Sequence, residues 1–237
     1  LDLKKIFISA LGILIAYWGI LWIGGGEDPY SLEHNLIRKI DIFLLGESHL
    51  YGGTGIQFDP EGLLSTIPSV VTVLIGYLVG SMLHTTKDFL DNVKRMSTFG
   101  IGLMIVGIIW GLLFPINKQL WTSSYVLFTG GIATLILSSL CFMIDIKKWK
   151  KPLWVFQIFG TNSIFLFVLS GLWTKIILRL RFDLEGQSIS GYGYLYKTLF
   201  VPIGGDMFGS FLFAFAHLVG FWLILLWLYR KKIFINL

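Results

Sequence analysis

Phe114-Pro115-Ile116-Asn117-Lys118-Gln119-Leu120-Trp121-Thr122-Ser123-Ser124 lies between two long apolar runs, and its reading decides the fold. Proline has no backbone N–H and clashes with the turn before it, so Pro115 is expected to close the first run. Thr122 or Ser123 is expected to cap the second, taking up backbone N–H groups with no partner inside the helix. A turn between two membrane helices needs only polar, flexible residues. An amide, a cation and an indole packed into so short a connection form a more specific arrangement.

The apolar runs on either side set the class. Apolar residues make up 55% of the chain and charged residues 14%, against about 25% charged in a soluble domain. The chain reads as an all-α integral membrane protein. Its single cysteine, Cys141, lies within an apolar run, so no disulfide framework is available. No signal peptide is visible. The chain starts on Leu1, and an N-terminal portion is expected upstream.

About six runs approach the roughly 20 residues needed to cross a bilayer: residues 6–23, 63–84, 98–114, 121–144, 154–177 and 207–229. Cations set the orientation. Lys4 and Lys5, Lys87, Lys94 and Arg95, Lys147, Lys148, Lys150 and Lys151, and Arg230, Lys231 and Lys232 fall on one side in short clusters. Arg38, Lys39, Lys118, Lys175, Arg179, Arg181 and Lys197 are spread over longer segments on the other side. The clustered side is expected to be cytoplasmic, with both termini on it. This distribution accounts for the net charge of +5 without a nucleic-acid partner.

The outward segments differ in character. In residues 24–62, Leu32, Leu36, Ile40, Phe43 and Leu44 recur at helical spacing against Glu33, Arg38, Lys39 and Asp41. This predicts a short amphipathic helix on the membrane or the bundle, followed by a flexible Gly52-Gly53-Thr54-Gly55 turn. The third outward segment, residues 178–206, is rich in glycine and tyrosine.

Several residues could carry chemistry. In Phe58-Asp59-Pro60-Glu61-Gly62-Leu63-Leu64-Ser65-Thr66, Asp59 reads as an N-cap, Pro60 as the first helical residue and Glu61 as a first-turn acid. The same carboxylates could face a polyhydroxylated ligand. Ser65, Thr66, Ser69 and Thr72 continue as a polar strip, and Pro68 is expected to kink the helix and turn that strip inward. In the opening stretch, Asn117, Lys118, Trp121 and Ser123 are candidates for substrate contact. Interfacial anchoring explains Trp121 and Lys118 equally well taken singly. Asn162 and His217 are polar groups within spans, and each suits either interhelical hydrogen bonding or a site. His49 reads as solvent-facing and His84 as interfacial. No metal-ligand spacing, nucleotide loop or nucleophile elbow is present.

Three stretches, FDPEGLLST (58–66), FPINKQLWTSS (114–124) and FGTNS (159–163), with the ending YRKKIFI (229–235), resemble the transmembrane acetyltransferases related to heparan-alpha-glucosaminide N-acetyltransferase, particularly bacterial relatives. The resemblance covers most of the chain. It implies the C-terminal part of a larger helical bundle in a bacterial inner membrane, acetyl-CoA as cytosolic acyl donor, and an amino sugar or glycan as acceptor on the outer side. It also implies that Asp59, Glu61, Asn117, Lys118, Trp121 and Ser123 belong to the acceptor end. The family's early Asp/Arg-Gly motif and the histidine it assigns to acetyl transfer have no counterpart here. The chain alone is therefore expected to be inactive, contributing acceptor-side and scaffold helices. A homo-oligomer is left open. The alternative is a membrane transporter or binding subunit for a small polar solute, which kinked and polar helices also suit.

Overall fold

The computed structural model describes residues 2–53, 55–83 and 85–235; Thr54 and His84, read above within a flexible turn and as interfacial, lie outside the described residues. The chain is an all-α membrane protein. Among the described residues five helices are long and apolar enough to span a bilayer, or six if one bent pair is a single span. In lipid every backbone polar group needs an internal partner, which is why uninterrupted apolar runs become helices. The chain divides into two compact units, Leu1–Lys148 and Trp149–Leu237.

The first unit holds α1 (Leu3–Gly24), α2 (Leu36–Leu45), α3 (Thr66–Met82, entered through a 3-10 turn at Leu63–Ser65), α4 (Phe89–Trp110) and α5 (Ser123–Cys141). Asp2 starts α1 by accepting the Lys4 N–H at 3.0 Å, and Asp88 starts α4 by accepting the Leu90 N–H at 2.9 Å. That cap puts the start of α4 well before residue 98. Asn92, fully buried in its first turn, donates to the Leu83 and Thr86 carbonyls, both at 3.0 Å. Helix α4 also ends early, at Trp110 with Gly111 as its cap, so Pro115 is not what stops it.

Helices α4 and α5 pack through glycine. A Cβ on Gly131 would stand 2.6 Å from the Met104 nitrogen, and one on Gly107 2.6 Å from the Phe128 nitrogen. Such backbone proximity is how membrane helices gain dispersion contact where lipid offers no hydrophobic drive. Ser97 and Ser138 add a hydroxyl–hydroxyl bond of 3.0 Å between the two helices. The core has an α1/α3/α4/α5 layer around Leu14, Val71, Ile75 and Met96, and a second layer of Tyr17, Leu21, Ile37, Phe58, Phe114 and Leu120.

Two expectations for this unit need correction. Pro68 lies in the first turn of α3, where its missing N–H has no helical partner to lose, and the helix continues past it. The polar strip does not turn inward: Thr66 and Thr72 are exposed, and only Ser65 is buried. Helix α2 is the expected short amphipathic helix, and the face it packs on the unit is not the one Phe43 marks. Its buried residues are Ile37 and Asp41, while Phe43 is 86% exposed.

In the second unit, the run over 154–177 is broken. Helices α6 (Trp154–Thr161) and α7 (Ser163–Arg179) meet at Asn162 with a bend of 76°. A hairpin follows, β1 (Arg181–Leu184) and β2 (Gln187–Ser190), turned by Glu185 and Gly186 at φ 56° and 79°. Two consecutive positive φ values suit a tight hairpin turn. Helix α8 (Gly191–Leu195) then leads through a wide turn at Tyr196–Phe200 into α9 (Val201–Arg230). Non-helical backbone at Gly204 and Gly205 kinks α9 near its start. Ile158, Leu225, Leu226 and Leu228 form the core of this unit.

Candidate functional site

Thr122 organises the turn between α4 and α5. Its hydroxyl accepts the Asn117 N–H at 3.0 Å and donates to the Pro115 carbonyl at 2.9 Å. It also takes the Tyr125 N–H at 3.4 Å as the N-cap of α5. The hydroxyls beside it hold the turn from below. Ser124 donates to the Phe114 carbonyl at 2.5 Å, and Ser123 to the Leu14 carbonyl of α1 at 2.8 Å. Phe114 and Leu120 are buried against Tyr17, whose hydroxyl donates to the Leu120 carbonyl at 2.6 Å.

This closure forces Trp121 into left-handed backbone at φ 49°, a conformation that costs a non-glycine residue free energy and persists only where its surroundings impose it. The indole packs edge-on against Tyr125 with ring centroids 5.4 Å apart, and its buried Nε1 has no hydrogen-bond partner among the described residues. Asn117 uses its Oδ1 to accept the Gln119 N–H at 2.8 Å. Lys118 is exposed.

The 58–66 stretch reaches the same place. Phe58 is fully buried in the cluster that holds Tyr17, Phe114 and Leu120. Asp59 does not cap the helix. Its Oδ1 accepts the Glu61 N–H at 2.9 Å, closing a local turn that leaves Glu61 exposed. The N–H of Leu63 goes to Asp41 Oδ1 of α2 at 3.1 Å, so the entry to α3 is capped by a residue distant in sequence. Ser65 is buried, and among the described residues its Oγ has no hydrogen-bond partner. The two motif stretches therefore converge on one tyrosine. Burial drives the Asp41 carboxyl above the ordinary aspartate range, the Leu63 N–H pulls it back down, and the charge of Asp59 raises it further.

Tyr17 and the special status of Asp41 escape a sequence reading. The one available signal is that Tyr17 is a hydroxyl within an apolar span, followed 24 residues later by an acid at i+4 from an apolar residue, Ile37.

Asn162 and His217 lie in the second unit. Fully buried Asn162 donates to the Ile233 carbonyl at 3.1 Å and accepts the Ile235 N–H at 2.8 Å. Its amide ties down the segment after α9. Asn162→Ala removes both bonds, worth about 1 kcal/mol each, and trypsin cleavage at Arg230–Lys232 is expected to accelerate about tenfold or more. His217 Nδ1 lies 2.9 Å from the Phe213 carbonyl, which can only accept, so Nδ1 carries the proton. The ring stands among Trp173, Tyr192 and Phe213, beside an apolar cavity of about 400 Å³.

No protein-family model matches the chain. Over 181 residues it is 34% identical to the heparan-alpha-glucosaminide N-acetyltransferase of Mus musculus, a match covering 68% of the chain and 27% of the mouse protein. Over 146 residues it is 34% identical to the Homo sapiens enzyme of the same name, covering 54% of the chain and 22% of that protein. The chain thus spans about a quarter of the length of the curated relatives it matches.

Proposed function

The chain is related to the acetyltransferases typified by heparan-alpha-glucosaminide N-acetyltransferase, and on that premise we propose that it forms the acceptor side of a membrane acyltransferase. The complete enzyme moves an acetyl group from cytosolic acetyl-CoA to an amino sugar or glycan on the outer face of a bacterial inner membrane. The observation that carries this reading is the convergence of the 58–66 and 114–124 stretches on Tyr17. The charge asymmetry of the loops supports an outward position for this end of the first unit.

In the transfer, the acceptor nitrogen attacks the thioester carbonyl. A C–N bond forms, the C–S bond breaks, and the amine gives up a proton as the CoA thiolate leaves. Trp121 offers an aromatic face to a sugar ring, held by strained backbone rather than by free rotation. Asp59 and Glu61 keep oxygens free for hydroxyl or amine hydrogens, Glu61 fully so in its exposed position. Asn117, Lys118 and Ser123 shape the mouth. The Ser123 proton is committed to Leu14, so Ser123 acts by holding the turn. The base for the amine proton comes from outside this chain.

The alternative, a transporter, would draw on the broken span at Asn162, since discontinuous helices line solute sites in such proteins. The Asn162 amide is spent on Ile233 and Ile235, which leaves the break a structural cause. The two readings separate on ligand binding. The detergent-purified native polypeptide should be stabilised by acetyl-CoA, by about 2.7 kcal/mol at a hundredfold excess over Kd, and less by free CoA. Stabilisation by a small polar solute but not by acetyl-CoA would favour the transporter.

A further inference from the structure

Asp41 is the only charged side chain fully buried among the described residues, and no ion pair is found for it there. A buried carboxylate without a counter-charge is costly, and such groups are retained where a partner arrives later. Capping Leu63 occupies Oδ1 alone, and a neutral amide would cap as well. Oδ2 has no partner. Gly62 makes room for it: a Cβ there would come within 2.1 Å of Oδ2 and 2.9 Å of the Ile37 Cγ2.

Two further features point to a missing donor. Buried Ser65 Oγ is also without a hydrogen-bond partner among the described residues. The nearby cations are engaged elsewhere. Arg38 on the same helix pairs with Glu47 at 3.4 Å and donates to the Gln57 carbonyl, while Lys39 reaches the Gly24 and Gly25 carbonyls. The charge facing Asp41 from the loop before α3 is Asp59, another acid, and from α1 it meets neutral Tyr17. The locality is short of positive charge and of N–H donors.

We propose that Asp41 Oδ2, at the entry to α3 where the Ser65 hydroxyl also lacks a partner, receives the amine of the acceptor sugar. This rests on the acetyltransferase reading and names the group that would recognise the acceptor nitrogen. The amine brings the positive charge and the N–H donors that these oxygens lack. Sugars with a hydroxyl in place of the amine bind less well, because a hydroxyl brings no charge to the carboxylate.

Asp41→Asn tests this directly, because the Asn Oδ1 keeps the bond to Leu63 while its NH₂ replaces the acceptor at Oδ2. In the native polypeptide, the variant should fold and melt no lower than wild type. Its KM for glucosamine should rise tenfold or more, with the KM for acetyl-CoA unchanged. Wild-type kcat/KM for glucosamine should fall on acidification along a limb above the ordinary carboxylate range, and the variant should lack that limb. Ser65→Ala, which breaks no hydrogen bond of ordinary geometry here, should raise the glucosamine KM at least threefold, and this comparison stands even if Asp41→Asn fails to fold. A well-folded Asp41→Asn with wild-type acceptor KM and an unchanged acid limb would overturn the proposal, as would an unaltered KM in Ser65→Ala. A wild-type polypeptide that acetylates no amine would overturn the acetyltransferase reading itself, an outcome distinct from either variant keeping normal kinetics.

Discussion

Thr122→Val should destabilise the protein by about 2 kcal/mol. The substitution keeps the side chain's shape and deletes a hydroxyl that is completely buried. It strands the Asn117 N–H and the Pro115 carbonyl and removes the cap on Tyr125. Both stranded groups are part-buried, so each costs about 1 kcal/mol, and the lost cap about 1 kcal/mol more. The groups lie in one short turn, so relaxation will recover part of the sum. Thr122→Ser retains the hydroxyl and should lose only the methyl contribution, about 1 kcal/mol. Thermal unfolding in detergent, comparing the two variants, reads the difference. Equal melting temperatures for Val and Ser at position 122 would show that the hydroxyl does not organise the turn.

Gly131→Ala should be of similar size for a different reason. The added methyl meets the Met104 nitrogen at 2.6 Å and the Gly100 carbonyl oxygen at 2.7 Å. Those are backbone atoms of a facing helix, so no side chain can swing aside. Helices α4 and α5 must separate, and overpacking of this kind costs about 3 kcal/mol. The loss should spread to the Ser97–Ser138 bond, which spans the same pair of helices. Gly102→Ala is the control. Gly102 is on α4 with nothing within 4 Å of its added Cβ, and alanine there should be neutral or stabilising by about 1 kcal/mol through helix propensity. Similar melting temperatures for the two alanine variants would contradict the glycine-mediated packing.

The membrane class and the helical content were legible in the sequence because lipid imposes one rule, internal satisfaction of every backbone group, on long apolar runs. Helix ends were less legible. Asp88 and Asn92 look like loop residues to a charge count, yet one caps α4 and the other plugs its first turn through carbonyls upstream. The break at Asn162 depends on a partner 71 residues away, at Ile233, which no local pattern can announce. Helix α2 shows the limit most clearly. Counting apolar residues favours the Phe43 face, whereas the buried face is fixed by Asp41 reaching Leu63, 22 positions on. The two motif stretches were visible as unusual runs, and their meeting at Tyr17 was not, since it depends on how α1 packs against the entries of α3 and α5.

Sealed, right-side-out vesicles carrying the native polypeptide test the central claim most directly. They are loaded with acetyl-CoA and given glucosamine outside. The account predicts N-acetylglucosamine in the outer medium, formed only when acetyl-CoA is inside, and suppressed in Asp41→Asn at low glucosamine. No acetylated product in any arrangement, or product only when both substrates share the cytoplasmic side, would contradict it.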